Sequence, residues 1–141
     1  MEEIVDMKKK MAAEGTLKQN IFDYIRKKYK VSPEYPWKKP PSGAVLRHED
    51  NRKWFALVME VPSERVGLPP GKVLDVVNLK IDDLFLRDMV IREEGILPAY
   101  HMNKLHWITV FLDGSVPEER IYELIDLSFT ATASAKKKAP G

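Results

Sequence analysis

The 141-residue sequence predicts an α+β domain in two layers, a five-stranded antiparallel sheet with its helices on one face, in the order α-β-β-β-α-β-β-α. Three observations predict it. Apolar residues recur at helical spacing near both ends and once in the middle, they alternate with period two between, and the connections between alternating stretches are short enough to favour antiparallel neighbours. The composition, 44% hydrophobic and 31% charged, is that of a globular chain of common single-domain size.

The elements follow in order. Residues 1–15 read as an N-terminal extension, with Ile4, Met7 and Met11 at compatible spacing but Gly15 interrupting. Thr16 to Gln19 forms a capping box, and Leu17, Ile21, Tyr24 and Ile25 then predict a helix to Tyr29. Pro33, Pro36, Pro40 and Pro41 exclude helix or central strand from Val31 to Gly43. Val45–His48 and Lys53–Val61 predict a hairpin around the polar turn Glu49–Arg52, with Phe55, Leu57, Met59 and Val61 expected to meet the helices. After the loop Pro62–Gly71, Lys72–Leu79 is a third strand. Asp82 or Asp83 then caps a helix through Glu94 that stops at Gly95. Leu97–Met102 and Trp107–Leu112 are two more strands, with Trp107 and Phe111 on one face and at least one of them covered by helices. Asp113 and Gly114 turn the chain into a second capping box, Ser115 to Glu118, and a last helix lined by Ile121, Leu124, Ile125 and Phe129. The domain thus spans residues 16–134, and residues 135–141 are a flexible basic tail.

Charge and composition narrow the functions. Zero cysteines remove disulfides and thiolate chemistry and suit a reducing compartment, so a cytoplasmic location is expected. The longest apolar run is far short of a bilayer span, and no membrane association is expected. A net charge of +2, from 23 basic and 21 acidic residues, announces no nucleic-acid binder by itself, so any basic patch must come from arrangement. Nucleophile elbows, phosphate-binding loops and dinucleotide fingerprints are absent. His48, His101 and His106 lack metal-ligand spacing, so neither a metal nor a cofactor is expected.

Three polar stretches remain as candidate sites. Asn103, Lys104 and His106, next to Trp107, could donate to phosphate or base edges; the ordinary reading is a tight turn with Asn103 in a left-handed conformation. Trp37, Lys38 and Lys39 interleave an aromatic with bases, as single-stranded nucleic-acid grooves do, although Trp37 also suits a loop anchor. Arg47, Arg52 and Lys53 could make the hairpin a basic wing, diluted by Glu49 and Asp50.

The stretch PAYHMNKLHWITVFLDGSVPEE, together with EYPWKKPPSGAVLRHEDNRKWFALVMEV and KVLDVVNLKID upstream, resembles the MmcQ/YjbR family over roughly Leu17 to Thr130. The resemblance implies a secretion-chaperone-like two-layer fold whose strand-and-turn projections form a double wing proposed to contact DNA. It places the family's NKxHW motif on Asn103, Lys104, His106 and Trp107, and its DGS turn on Asp113, Gly114 and Ser115. The expected function is a non-enzymatic DNA-binding or regulatory accessory protein, with weak electrostatic contact to DNA. The alternatives are a protein-interaction or self-associating module, which an exposed apolar patch would favour, and an enzyme with a small-molecule pocket holding His101 and His106.

Overall fold

The structure, a computed structural model, describes residues 17–37 and 43–134. The N-terminal extension, Thr16, Lys38, Lys39 and the basic tail lie outside the described residues. The elements are α1 (Leu17–Tyr29), β1 (Gly43–Arg47), β2 (Trp54–Pro62), a 3-10 turn at Ser63–Val66, β3 (Val73–Lys80), α2 (Leu84–Val90), β4 (Ile96–Pro98), β5 (Trp107–Phe111) and α3 (Glu118–Thr132). They form one five-stranded sheet in the order β1-β2-β3-β5-β4, every neighbouring pair antiparallel. Among the described residues no helix is long and apolar enough to cross a membrane.

The expected face of β2 is reversed. Ala56 and Val58 look toward the helices with Ala44, Leu46, Val77, Leu79, Ile108 and Val110, while Met59 and Val61 join Val76 and Phe111 in a smaller cluster on the other face. Both sets are apolar, so alternation alone could not choose between them. Phe55 nonetheless reaches the main core, because the register slips between Leu46 and Arg47 and leaves it as the extra residue of a bulge. Its carbonyl accepts from Ser128 Oγ at 2.6 Å, and that hydroxyl accepts from Lys80 N at 2.8 Å. A single α3 serine thus ties the bulge to β3.

Two elements are shorter than expected. Asp83 caps α2 by accepting from the Phe85 and Leu86 amides, but the helix ends at Val90 rather than Glu94. Arg92 N and Glu93 N then donate to the third carbonyl back, to Met89 and Val90, tightening the chain into a turn that reverses at Gly95, φ 84°. A side chain at Gly95 would collide with Ser115 and Val116. The fourth strand stops at Pro98 instead of Met102, and beyond it the Tyr100 amide donates to Thr109 Oγ1 rather than to a ladder carbonyl.

The second capping box does not form. Pro117 precedes α3 with no side-chain cap, and Ser115 instead donates twice to Asp113 Oδ1, closing the turn before it. Glu118 and Glu119 supply the negative charge that the helix N-terminus favours. Trp107 and Phe111 do share a strand face, but it is the one away from the helices. Phe111 is buried there and Trp107 half-buried.

Candidate nucleic-acid interface

Antiparallel pairing fixes which turns share an end of the sheet. Arg47 faces Trp54, Ala56 faces Leu79, and Lys80 faces Trp107, so the β1–β2 turn, the end of β3 and the β4–β5 connection leave the same end. The two turns are separated by three strand spacings, about 14 Å. α1 finishes there as well, since Tyr29 stacks on Phe129 and meets Phe55 edge-on. So does α3, whose Thr132 carbonyl accepts from Asn51 Nδ2 at 3.0 Å. The described chain stops two residues later at Ser134, bonded to Asp50.

Within the hairpin turn, Asn51 Oδ1 accepts from Lys53 N, and Arg52 takes a left-handed conformation, φ 61°. Arg47 and Arg52 are both paired with one carboxylate. Glu34, which bridges to the β1 edge at Val45, accepts from Arg47 Nε at 3.1 Å and Arg52 Nη2 at 3.2 Å. One carboxylate therefore answers two of the three predicted wing cations, leaving Lys53 exposed.

In the β4–β5 connection the left-handed residue is His101, φ 63°, not Asn103. Asn103 builds the turn from its other groups. Its Oδ1 accepts from Leu105 N, and its carbonyl accepts from His106 N and Trp107 N. Lys104 projects from the tip, and its carbonyl accepts from Arg87 Nε at 3.0 Å, bracing the turn on α2. The His106 carbonyl accepts from Ile81 N at 2.7 Å, extending the β3–β5 ladder by one rung. The buried His106 Nδ1 has no hydrogen-bond partner. Beneath this connection Asn78 and Thr109, both fully buried, satisfy each other: Thr109 Oγ1 donates to Asn78 Oδ1 at 2.6 Å, and Asn78 Nδ2 donates to the Tyr100 carbonyl at 2.8 Å. Sequence reasoning passed over this pair, because only the register shows that two polar strand residues face each other.

Trp37 lies against Trp54, rings perpendicular at 5.9 Å, and over Gly43, where a side chain would meet its ring at 3.1 Å. It anchors the proline-rich loop and is 42% exposed. The three histidines do not converge. His48 is buried against Phe55, Phe129 and Thr132, His101 is exposed on Tyr100, and among the described residues no group of three potential ligands could hold a metal.

Further cations were missed because only the fold brings them to this end. Lys27, Lys28 and Lys30 close α1, and Lys80 ends β3. Lys28 pairs with Asp126 at 2.9 Å, and Lys80 lies 3.8 Å from Asp82. Among the described residues Lys27, Lys30, Lys53 and Lys104 make no salt bridge; Lys30 Nζ donates to the Lys27 carbonyl at 3.1 Å, and all four residues are exposed on segments that finish at this end. Such a cluster can hold phosphates without reading bases.

The sequence matches the model of the YjbR family over residues 26–131. It is 44% identical over 115 residues to the uncharacterized protein YyaQ of Bacillus subtilis (strain 168), covering 82% of this chain and 97% of that one. With the uncharacterized protein YjbR of Escherichia coli (strain K12) it shares 35% identity over 75 residues, 53% of this chain and 55% of that one. A crystal structure of a Pseudomonas syringae protein superposes with a TM-score of 0.78 at 46% identity, covering 82% of this chain and 97% of that chain. The Deinococcus radiodurans protein DR2400, a DUF419 domain, superposes with a TM-score of 0.61 at 22% identity over 84% of this chain and 79% of its own, which establishes the fold alone.

Proposed function

The chain belongs to the YjbR family, and from that premise we propose that it is a non-catalytic accessory domain that contacts nucleic acid electrostatically through the basic end of its sheet. The observation that carries the reading is that Lys27, Lys30, Lys53 and Lys104, all exposed, belong to segments that finish at the end where both turns leave the sheet. Glu34 holds Arg47 and Arg52, so the contact depends on ammonium groups rather than bidentate arginines. Lysines act as point charges on phosphate and carry little base discrimination. Binding is therefore weak, with a dissociation constant on the order of micromolar or higher at physiological salt.

Fluorescence anisotropy with labelled duplex and single-stranded oligonucleotides, titrated from about 50 mM salt upward, tests this reading. Each phosphate neutralised on duplex adds about −0.9 to the slope of log affinity against log salt, so Lys104→Ala flattens that slope by about one unit. Absence of binding to either probe at the lowest salt, or binding unchanged by both Lys53→Ala and Lys104→Ala, overturns the proposal.

A further inference from the structure

The other notable surface lies between α2 and α3, and it is apolar and acidic. Arg87 leaves α2 toward the β4–β5 connection, where it meets the Lys104 carbonyl. Phe85 and Met89 stand two residues to either side of Arg87, each about 200° around the helix, so they occupy the flank turned away from the β4–β5 connection. On α3, Arg120 reaches Glu93 just beyond α2, with Nη2 to Oε2 at 2.8 Å. Leu127, seven residues on, falls within about 20° of Arg120 and faces the same way. Phe85 is 86% exposed, Met89 66% and Leu127 39%, although all three are large apolar residues on regular helices. Together they expose apolar surface on the order of a few hundred Å², the scale of a functional patch.

Charge identifies what fits there. Residues 82–94 carry Asp82, Asp83, Asp88, Glu93 and Glu94 against Arg87 and Arg92, a net charge of −3. The α3 sequence carries Glu118, Glu119, Glu123 and Asp126 against Arg120, again −3, but Asp126 is turned toward α1 and Glu118 accepts from Tyr122 on that same flank, which leaves Glu119 and Glu123 against Arg120. The segments on either side of this gap thus keep a net negative charge, most of it on residues 82–94, in a chain whose net charge is +2. A second copy meeting this face with the same face would set acid against acid, and residues 1–16, with four acids and three lysines, do not complement it either.

We propose that the α2–α3 gap is a docking groove for a basic amphipathic helix of a partner protein, with Phe85, Met89 and Leu127 receiving its apolar stripe. The ligand lays apolar residues at i, i+4 and i+7 into the gap and directs its lysines or arginines to Asp88 and Glu123, whose side chains are 61% and 64% exposed. Both carboxylates already touch an arginine, Asp88 bonding Arg87 and Glu123 bonding Arg120, so they supply long-range attraction and orientation while the apolar residues supply the affinity. The small area makes the complex transient. The proposal is independent of nucleic-acid contact, which uses the end of the sheet.

The test uses a labelled amphipathic peptide of about 14 residues with leucines at i, i+4, i+7 and lysines elsewhere. Its controls are the same peptide with glutamates for lysines and a scrambled peptide of equal composition. The lysine peptide binds the full chain, and binding falls about tenfold or more in Phe85→Ser and in Met89→Ser, with thermal midpoints held as the fold control. Glu123→Gln weakens binding less, and only at low salt. The proposal is overturned if the lysine peptide does not bind, if either control binds as well, or if the two serine variants leave its affinity unchanged. Concentration-dependent sedimentation abolished by Phe85→Ser would overturn the proposal in favour of self-association.

Discussion

Helix α3 turns one flank to α1 and the other to α2, and the two flanks are finished differently. Toward α1, Tyr24 stacks on Tyr122 at 4.1 Å, Tyr29 stacks on Phe129 at 3.7 Å, and the Tyr24, Tyr29 and Lys28 donors all end on Asp126. Toward α2, Val90 shares the core with Ile121 and Leu124, but above it Leu127, Phe85 and Met89 stay exposed, and the described polar link is Arg120 to Glu93 past the end of α2. A helix sealed on both flanks needs no partner. One sealed on a single flank keeps its stability there and leaves the other for recognition.

The comparison breaks most sharply at the sealed side. Phe55 is fully buried among His48, Tyr29 and Phe129, and Phe55→Ala should cost ~3–5 kcal/mol, read as a fall in the denaturation midpoint. Removing the acceptor is the next largest effect: Asp126→Ala strands two hydroxyls and an ammonium and should cost about 1–2 kcal/mol, because all are partly solvated.

The same carboxylate gives the seam a pH dependence. Burial raises the Asp126 pKa, but the bonds from Lys28, Tyr29 and Tyr24 outweigh it and hold the carboxyl below its ordinary value. Burial and the bond to Asp126 push the Tyr29 hydroxyl up, so it stays a donor across the physiological range. A carboxyl depressed in the folded state stabilises above its unfolded pKa, and that contribution is lost as pH falls through the folded one. Acid should therefore narrow the stability difference between wild type and Asp126→Ala, and a constant difference down through the ordinary aspartate range would sink the assignment.

On the open flank the expectation inverts. Phe85→Ser should change stability by no more than about 0.5 kcal/mol, since the side chain is already exposed. A loss of ~2 kcal/mol would show that Phe85 is buried in solution and that the gap is closed.

The sequence made most of this fold readable, for identifiable reasons. The helical spacing from Leu17 and the alternation of Lys72–Leu79 survive into α1 and β3 with bounds moved by a residue at most. What stayed hidden needed tertiary placement. Both faces of β2 are apolar, and the bulge that brings Phe55 into the core appears only in the pairing with β1; α2 ended early because the chain must reverse at Gly95 to enter β4. Of the candidate site, Lys104 and Lys53 project as expected. The pairing of Arg47 and Arg52 stayed hidden because Glu34, distant in sequence, folds onto both. Lys27 and Lys30 were visible as a basic run, but only topology carries them to the same end.

Residue-resolved amide shift mapping tests the division most directly, by titrating one labelled sample with an oligonucleotide and another with the lysine peptide. The account predicts that the oligonucleotide perturbs residues 49–53 and 103–106 and the end of α1, while the peptide perturbs 84–90 and 120–131. Overlapping perturbations, or an oligonucleotide that shifts the amides around Phe85 and Leu127 while leaving those around Lys53 and Lys104 in place, would contradict it.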